Sequence, residues 1–206
     1  MPTLLAPLEE ARENLRVIRQ TMERSTKYST LSGLSGILIG LSAIAAVLAT
    51  SRILHGRYDA HQPLQSASPS LGILWLCELV LAVGIEFACN KRRARRVGKR
   101  VASPLGAHII VAALPAFVGA LALTAFFALH GLLALVWGIW MLTYGLAICA
   151  VGLFSVRPVS YLGAAFVLAG AVTLLLPAHS QLFMMGLTFG GFHIVYGALM
   201  GRKHGW

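Results

Sequence analysis

The feature that most constrains this chain is a set of six apolar stretches, each about as long as a membrane helix needs. A bilayer core takes about 20 consecutive apolar residues in helical form. Residues 34–54, 71–90, 107–129, 132–154, 159–176 and 182–201 meet that requirement. Inside a membrane every backbone polar group must be satisfied within the protein, so six such stretches predict an all-α fold. The expected architecture is a polytopic bundle of six transmembrane helices over 30–206, preceded by a cytoplasmic helix within 1–29. Composition agrees: 12% of residues are charged, against about 25% in soluble domains. Pro115 lies inside the third stretch, where neighbouring helices can satisfy the carbonyl it frees. About 28 mostly polar residues precede the first stretch, so no cleavable signal peptide is expected. Cys77, Cys89 and Cys149 all lie in apolar stretches and read as small buried hydrophobes rather than a disulfide framework.

Orientation follows from lysine and arginine placement. With the N-terminus in the cytoplasm, the inner side holds Arg12, Arg16, Arg19, Arg24, Lys27, Lys91, Arg92, Arg93, Arg95, Arg96, Lys99, Arg100, Arg157, Arg202 and Lys203. The outer side holds Arg52 and Arg57 alone. Both termini are therefore expected in the cytoplasm, and the net charge of +10 expresses topology. The run at 91–100 reads first as a stop-transfer anchor. Its sharper reading is an anionic-lipid site formed by Lys91, Arg92, Arg93, Arg95, Arg96, Lys99 and Arg100. Direct nucleic-acid binding is not expected, because no aromatic or base-reading groups are interleaved with these charges.

Glycines mark where helices should meet. Gly131, Gly138, Gly145 and Gly152 recur every seven residues, close to two helical turns. Gly186, Gly190, Gly197 and Gly201 in the sixth stretch, Gly163 and Gly170 in the fifth, and Gly33, Gly36 and Gly40 in the first make similar stripes. Small residues let membrane helices approach closely where lipid supplies no hydrophobic drive. Trp137, Gly138, Trp140, Tyr144 and Gly145 align with Phe189, Gly190, Phe192, Tyr196 and Gly197 at an offset of 52. The alignment points to repeated two-helix hairpins, three–four and five–six, unless short glycine- and aromatic-rich helices simply look alike. Three short connections predict that consecutive helices pack as antiparallel neighbours.

Leu8, Ala11, Leu15, Ile18 and Met22 form a narrow heptad seam on a helix from about Pro7 to Thr26. Pro7 suits a first helical position, and Glu9 and Glu10 favour the positive end of the helix dipole. Three destinations fit the seam: the cytoplasmic face of the bundle, the membrane surface, or a partner, whether a cytosolic protein or a second copy.

Ionisable residues inside a membrane default to functional hypotheses. Glu78 and Glu86 on the second helix, His108 on the third and His193 on the sixth are the ligand or ion candidates. Eight residues apart, the two glutamates differ by about 80° around a helix of 3.6 residues per turn. His193 is expected to share the glycine face of its helix. Together the set would take a proton, a cation or a polar ligand; the plainer reading is a buried, hydrogen-bonded glutamate and histidine. A bis-histidine haem site from His108 and His193 has no further support, and no cofactor is expected. His55, His61, His130 and His179 lie toward the outer side, where they read as solvated loop residues rather than zinc or copper ligands. No nucleophile elbow, phosphate loop, H-E-x-x-H or C-x-x-C is present, so enzymatic activity is not expected.

The segments ENLRVIRQTMERST (13–26), GLFSVRPV (152–159) and GLTFGGFHIVYG (186–197), with the RKHG tail, resemble a family of bacterial six-helix integral membrane proteins with no assigned activity. The resemblance carries over no catalytic residue. It implies a membrane partner for a winged-helix regulator encoded nearby, and hence a sensory or regulatory role. The alternative is a small transporter or channel built on Glu78, Glu86 and His193.

Overall fold

The computed structural model describes residues 10, 12–18, 32–59, 68–96 and 104–204. Among them the regular structure is all helical, with short turns between helices: α1 (Gly33–Asp59), α2 (Ser68–Arg96), α3 (Pro104–Leu129), α4 (Val136–Gly152), α5 (Arg157–Leu175), α6 (Ala178–Met185) and α7 (His193–His204). A π-helical stretch, Gly186–Phe192, joins α6 to α7 without a break, so the three form one span of 25 residues, Ala178–Arg202. Six helical spans are therefore long and apolar enough to cross a membrane. The molecule is a polytopic membrane helix bundle.

The helix ends follow local chemistry. α2 runs six residues past Asn90, through Lys91 to Arg96. Lysine and arginine are good helix formers, and positive charge suits a helix C-terminus, so the stop-transfer run begins as helix. α3 passes through Pro115 unbroken. Gly131, counted above with the α4 stripe, instead occupies the turn after α3 with a φ of 74°. That left-handed conformation favours glycine. α5 starts with proline in its first turn, where the missing N–H costs nothing.

The remaining stripes are the main joints of the bundle. A Cβ on Gly145 would stand 2.6 Å from the Val167 amide nitrogen and 2.8 Å from the Gly163 carbonyl oxygen. One on Gly170 would stand 2.5 Å from the Leu142 nitrogen. α4 and α5 thus meet backbone to backbone and antiparallel, the widest contact in the molecule. α1 meets the sixth span the same way. A Cβ on Gly36 would lie 2.8 Å from the Gly197 Cα, one on Gly40 would lie 2.6 Å from the Gly190 carbonyl, and one on Gly33 would run into the Gly201 nitrogen.

The expectation of antiparallel neighbours along the chain holds for α1 with α2, α3 with α4 and α4 with α5, but not for α2 with α3, which scarcely touch. It needs correcting at the end, because the sixth span packs most widely on α1 rather than α5. The glycines aligned at offset 52 behave alike: Gly138 and Gly145 abut α5, and Gly190 and Gly197 abut α1. α2 is peripheral. Among its described side chains only Asn90 and Ala94 are buried, while Ile73, Leu76, Val80, Val83 and Phe87 are exposed, as lipid-facing residues are.

The core between the two tight pairs is aromatic and sulfur-rich. Phe166 and Met141 are fully buried and Met185 nearly so, packed against Trp75, Trp137, Tyr144, Phe189 and Phe192. Tryptophan N–H groups find partners inside: Trp75 Nε1 donates to Thr50 Oγ1 at 3.1 Å, and Trp140 Nε1 donates to Thr124 Oγ1 at 2.9 Å.

Candidate functional site

The π stretch shapes the site. Gly190 and Gly191 place no Cβ in the widened turn, and the Thr188 hydroxyl donates back to the Met184 carbonyl at 2.8 Å. Such back-bonding competes with the regular ladder. π turns of this kind recur at functional sites. His193 follows directly, and its side chain is buried, with 4% exposure.

The hydrogen bonds of His193 fix its tautomer. Nδ1 lies 2.9 Å from the Phe189 carbonyl oxygen, which can only accept, so Nδ1 carries the hydrogen. In the neutral ring Nε2 is then an acceptor, and the Tyr144 hydroxyl donates to it over 2.7 Å. The ring sits among Tyr144, Phe166 and Phe189, with centroids 5.5, 5.4 and 6.1 Å away. His193 was expected to face the helix apposed to its glycines. Its backbone does, since the His193 carbonyl is 3.0 Å from where a Gly36 Cβ would be. Its imidazole points instead across the interior to α4, because Gly190 and Gly197 occupy the α1 side while the buried line through Met185 and Thr188 continues to His193.

Glu86 belongs to a second network at the basic end. Asn90 Nδ2 donates to Glu86 Oε1 at 2.7 Å, and Asn90 Oδ1 accepts the Ser32 backbone N–H at 3.2 Å. The Asn90 side chain thereby caps the start of α1 and ties it to α2.

Glu78 stands apart, half-buried against α1. Ser42 Oγ lies 2.8 Å from Glu78 Oε1 and 2.9 Å from the Ile39 carbonyl oxygen. The Ser42 hydroxyl donates to Glu78 and shares its hydrogen with the Ile39 carbonyl in a three-centre bond. His108 is exposed near the start of α3, while both ring nitrogens of His193 are engaged in hydrogen bonds within the bundle. His55 and His130 are exposed and bond the carbonyl four residues back, Ser51 at 3.1 Å and Phe126 at 2.8 Å. His179 is exposed, and His61 lies outside the described residues. Among the described residues no three His, Cys, Asp or Glu side chains gather as a metal set.

Residues 12–18 form a helix whose Leu15, Val17 and Ile18 are 66%, 51% and 53% exposed. This part of the seam does not pack on the bundle. Leu8, Ala11 and Met22 lie outside the described residues, as do Lys99 and Arg100. Lys91, Arg92, Arg95 and Arg96 are exposed along the end of α2, and Arg93 is half-buried.

Sequence reasoning placed His193 and Glu86 in one half of the bundle but missed Tyr144 as the histidine's partner. The only signal was its place in the aromatic–glycine alignment. These features define a polytopic α-helical membrane protein with a buried tyrosine–histidine pair. Comparison with protein-family models, curated proteins and solved structures found no match to the chain.

Proposed function

We propose that this chain is a non-enzymatic protein of the bacterial inner membrane, with both termini in the cytoplasm, that works as a sensory or regulatory scaffold through its basic face. The observation that carries this reading is the exposed seam at Leu15 and Ile18, ahead of α1, whose start Asn90 ties to the basic end of α2. The seam suits a cytosolic protein or a second copy, and the basic run suits anionic lipid headgroups. The positive-inside rule supports the orientation. The glycine stripes, in this reading, act as a zipper that holds the face in shape.

Photo-crosslinking in intact cells tests the proposal. A benzophenone residue at position 15 or 18 should give a discrete protein adduct, and one at position 14 should not. Adducts to lipid alone, or equal adducts from all three positions, would overturn it.

A second reading, a small transporter or channel, draws on the intramembrane ionisable residues Glu78, Glu86 and His193. It requires that Glu78→Gln or His193→Ala abolish a proton or cation flux in proteoliposomes. The scaffold reading expects both variants to lose stability and to leave ion leakage at the level of empty vesicles.

A further inference from the structure

A groove of about 330 Å³ opens on the lipid-facing side of the bundle between α1 and the sixth span. Its walls are Ile44, Val47 and Leu48 on one side and Phe183, Leu187 and two glycines, Gly186 and Gly191, on the other. We propose that this groove binds one acyl chain of a membrane phospholipid. The inference is independent of the role assigned to the basic face.

Depth identifies the occupant. Ile44 to Leu48 are the twelfth to sixteenth residues of a 23-residue span, and Gly186 to Gly191 the ninth to fourteenth of a 25-residue span. At about 1.5 Å per residue the groove lies near the middle of a hydrocarbon core about 30 Å thick. Neither water nor headgroups reside there, and the lining side chains are all apolar.

Two glycines keep the groove open. Glycine in a helix costs about 0.5–1 kcal/mol relative to alanine. Close packing accounts for it at Gly190, where a Cβ would stand 2.5 Å from Ile44 Cγ1. It does not account for it at Gly186 or Gly191, where the nearest atoms to an added Cβ are Val47 Cγ1 at 3.5 Å and Leu187 Cδ1 at 3.7 Å. A side chain would fit at both places and would fill the groove. The absence of those side chains leaves the space empty of protein atoms.

The test uses the full chain in phosphatidylcholine nanodiscs doped with a phosphatidylcholine carrying a diazirine midway along one acyl chain. After irradiation, adducts are mapped by mass spectrometry. Leu48, Phe183 and Leu187 should be labelled about tenfold more than Val80 and Ile110, which are similarly exposed to lipid; tenfold corresponds to about 1.4 kcal/mol of preference. Gly191→Leu should abolish the excess. Leu48→Trp fills the groove from the opposite wall, at a position already 60% exposed, and should do the same should the first variant fail to fold. Uniform labelling, an excess that survives both substitutions, or covalent dimers formed through Phe183 in place of lipid adducts would each overturn the proposal.

Discussion

Replacing Gly145 by alanine should separate a packing effect from a helix-propensity effect. The added methyl would stand 2.6 Å from the Val167 nitrogen and 2.8 Å from the Gly163 carbonyl oxygen. Ordinary carbon contacts begin near 3.5 Å, so α4 and α5 must part by most of an ångström. Both obstructing atoms are backbone and cannot swing aside. Overpacking of this kind costs about 1–3 kcal/mol. The substitution also gains about 0.5–1 kcal/mol of helix propensity, which obscures a measurement on one variant. Gly84 removes the ambiguity: it too lies within a helix, and an added Cβ there meets nothing within 4 Å. Gly84→Ala collects the propensity gain without the clash, so the difference between the two variants isolates the overpacking. On the soluble-domain scale of about 2–4 °C per kcal/mol for a chain this size, Gly145→Ala should unfold several degrees below Gly84→Ala in the same detergent. The thermal transitions of the two purified proteins decide it. Coincident midpoints would refute the backbone-to-backbone account of the α4–α5 joint.

Three further outcomes are expected. Tyr144→Phe leaves His193 Nε2 buried without a donor and should destabilise by about 1–3 kcal/mol, whereas Tyr161→Phe, at a position 70% exposed, should change the transition little. In a background lacking Cys77, Cys89 and Cys149, a cysteine at Arg95 should react with an impermeant maleimide only in inverted vesicles, and a cysteine at His130 only in intact cells; the reverse pattern would invert the proposed orientation. Glu78→Gln keeps a hydrogen-bonding group against Ser42 and should be better tolerated in thermal unfolding than Glu78→Leu, which leaves the serine facing a hydrocarbon chain.

Much of the architecture was legible because a membrane imposes a simple rule on length and polarity. The apolar run that begins at Gly33 has to be a helix wherever it packs. Spacing also identified Gly138, Gly145 and Gly152 as a contact face, since seven residues return to nearly the same side of a helix. It could not say which helix that face would meet. Gly36 and Gly197 are 161 positions apart, and nothing local to either encodes their contact. The π turn was hidden for a related reason: Gly190 and Gly191 permit a widened turn but do not demand one, and Thr188 reads equally well as an ordinary membrane threonine. Tyr144 and His193 lie on different spans with only their tertiary neighbours to bring them together. Gly131 misled because it fits the seven-residue interval while its backbone belongs to a turn.

The glycine contacts have a mechanical consequence. α1 with the sixth span, and α4 with α5, are each clamped main chain to main chain, and neither pair can slide without losing contacts along its length. Between them lie rings: Tyr144 and Phe166 at 4.8 Å, Phe166 and Phe189 at 5.0 Å, and Phe166 and Phe192 at 5.5 Å between centroids. Rings at such separations re-stack under small displacements, as packed helices do in shear. The protein is thus two stiff beams with a compliant bearing between them, and the Tyr144–His193 hydrogen bond spans that bearing from one beam to the other. A tilt of one beam against the other must re-stack those rings and stretch or bend that bond.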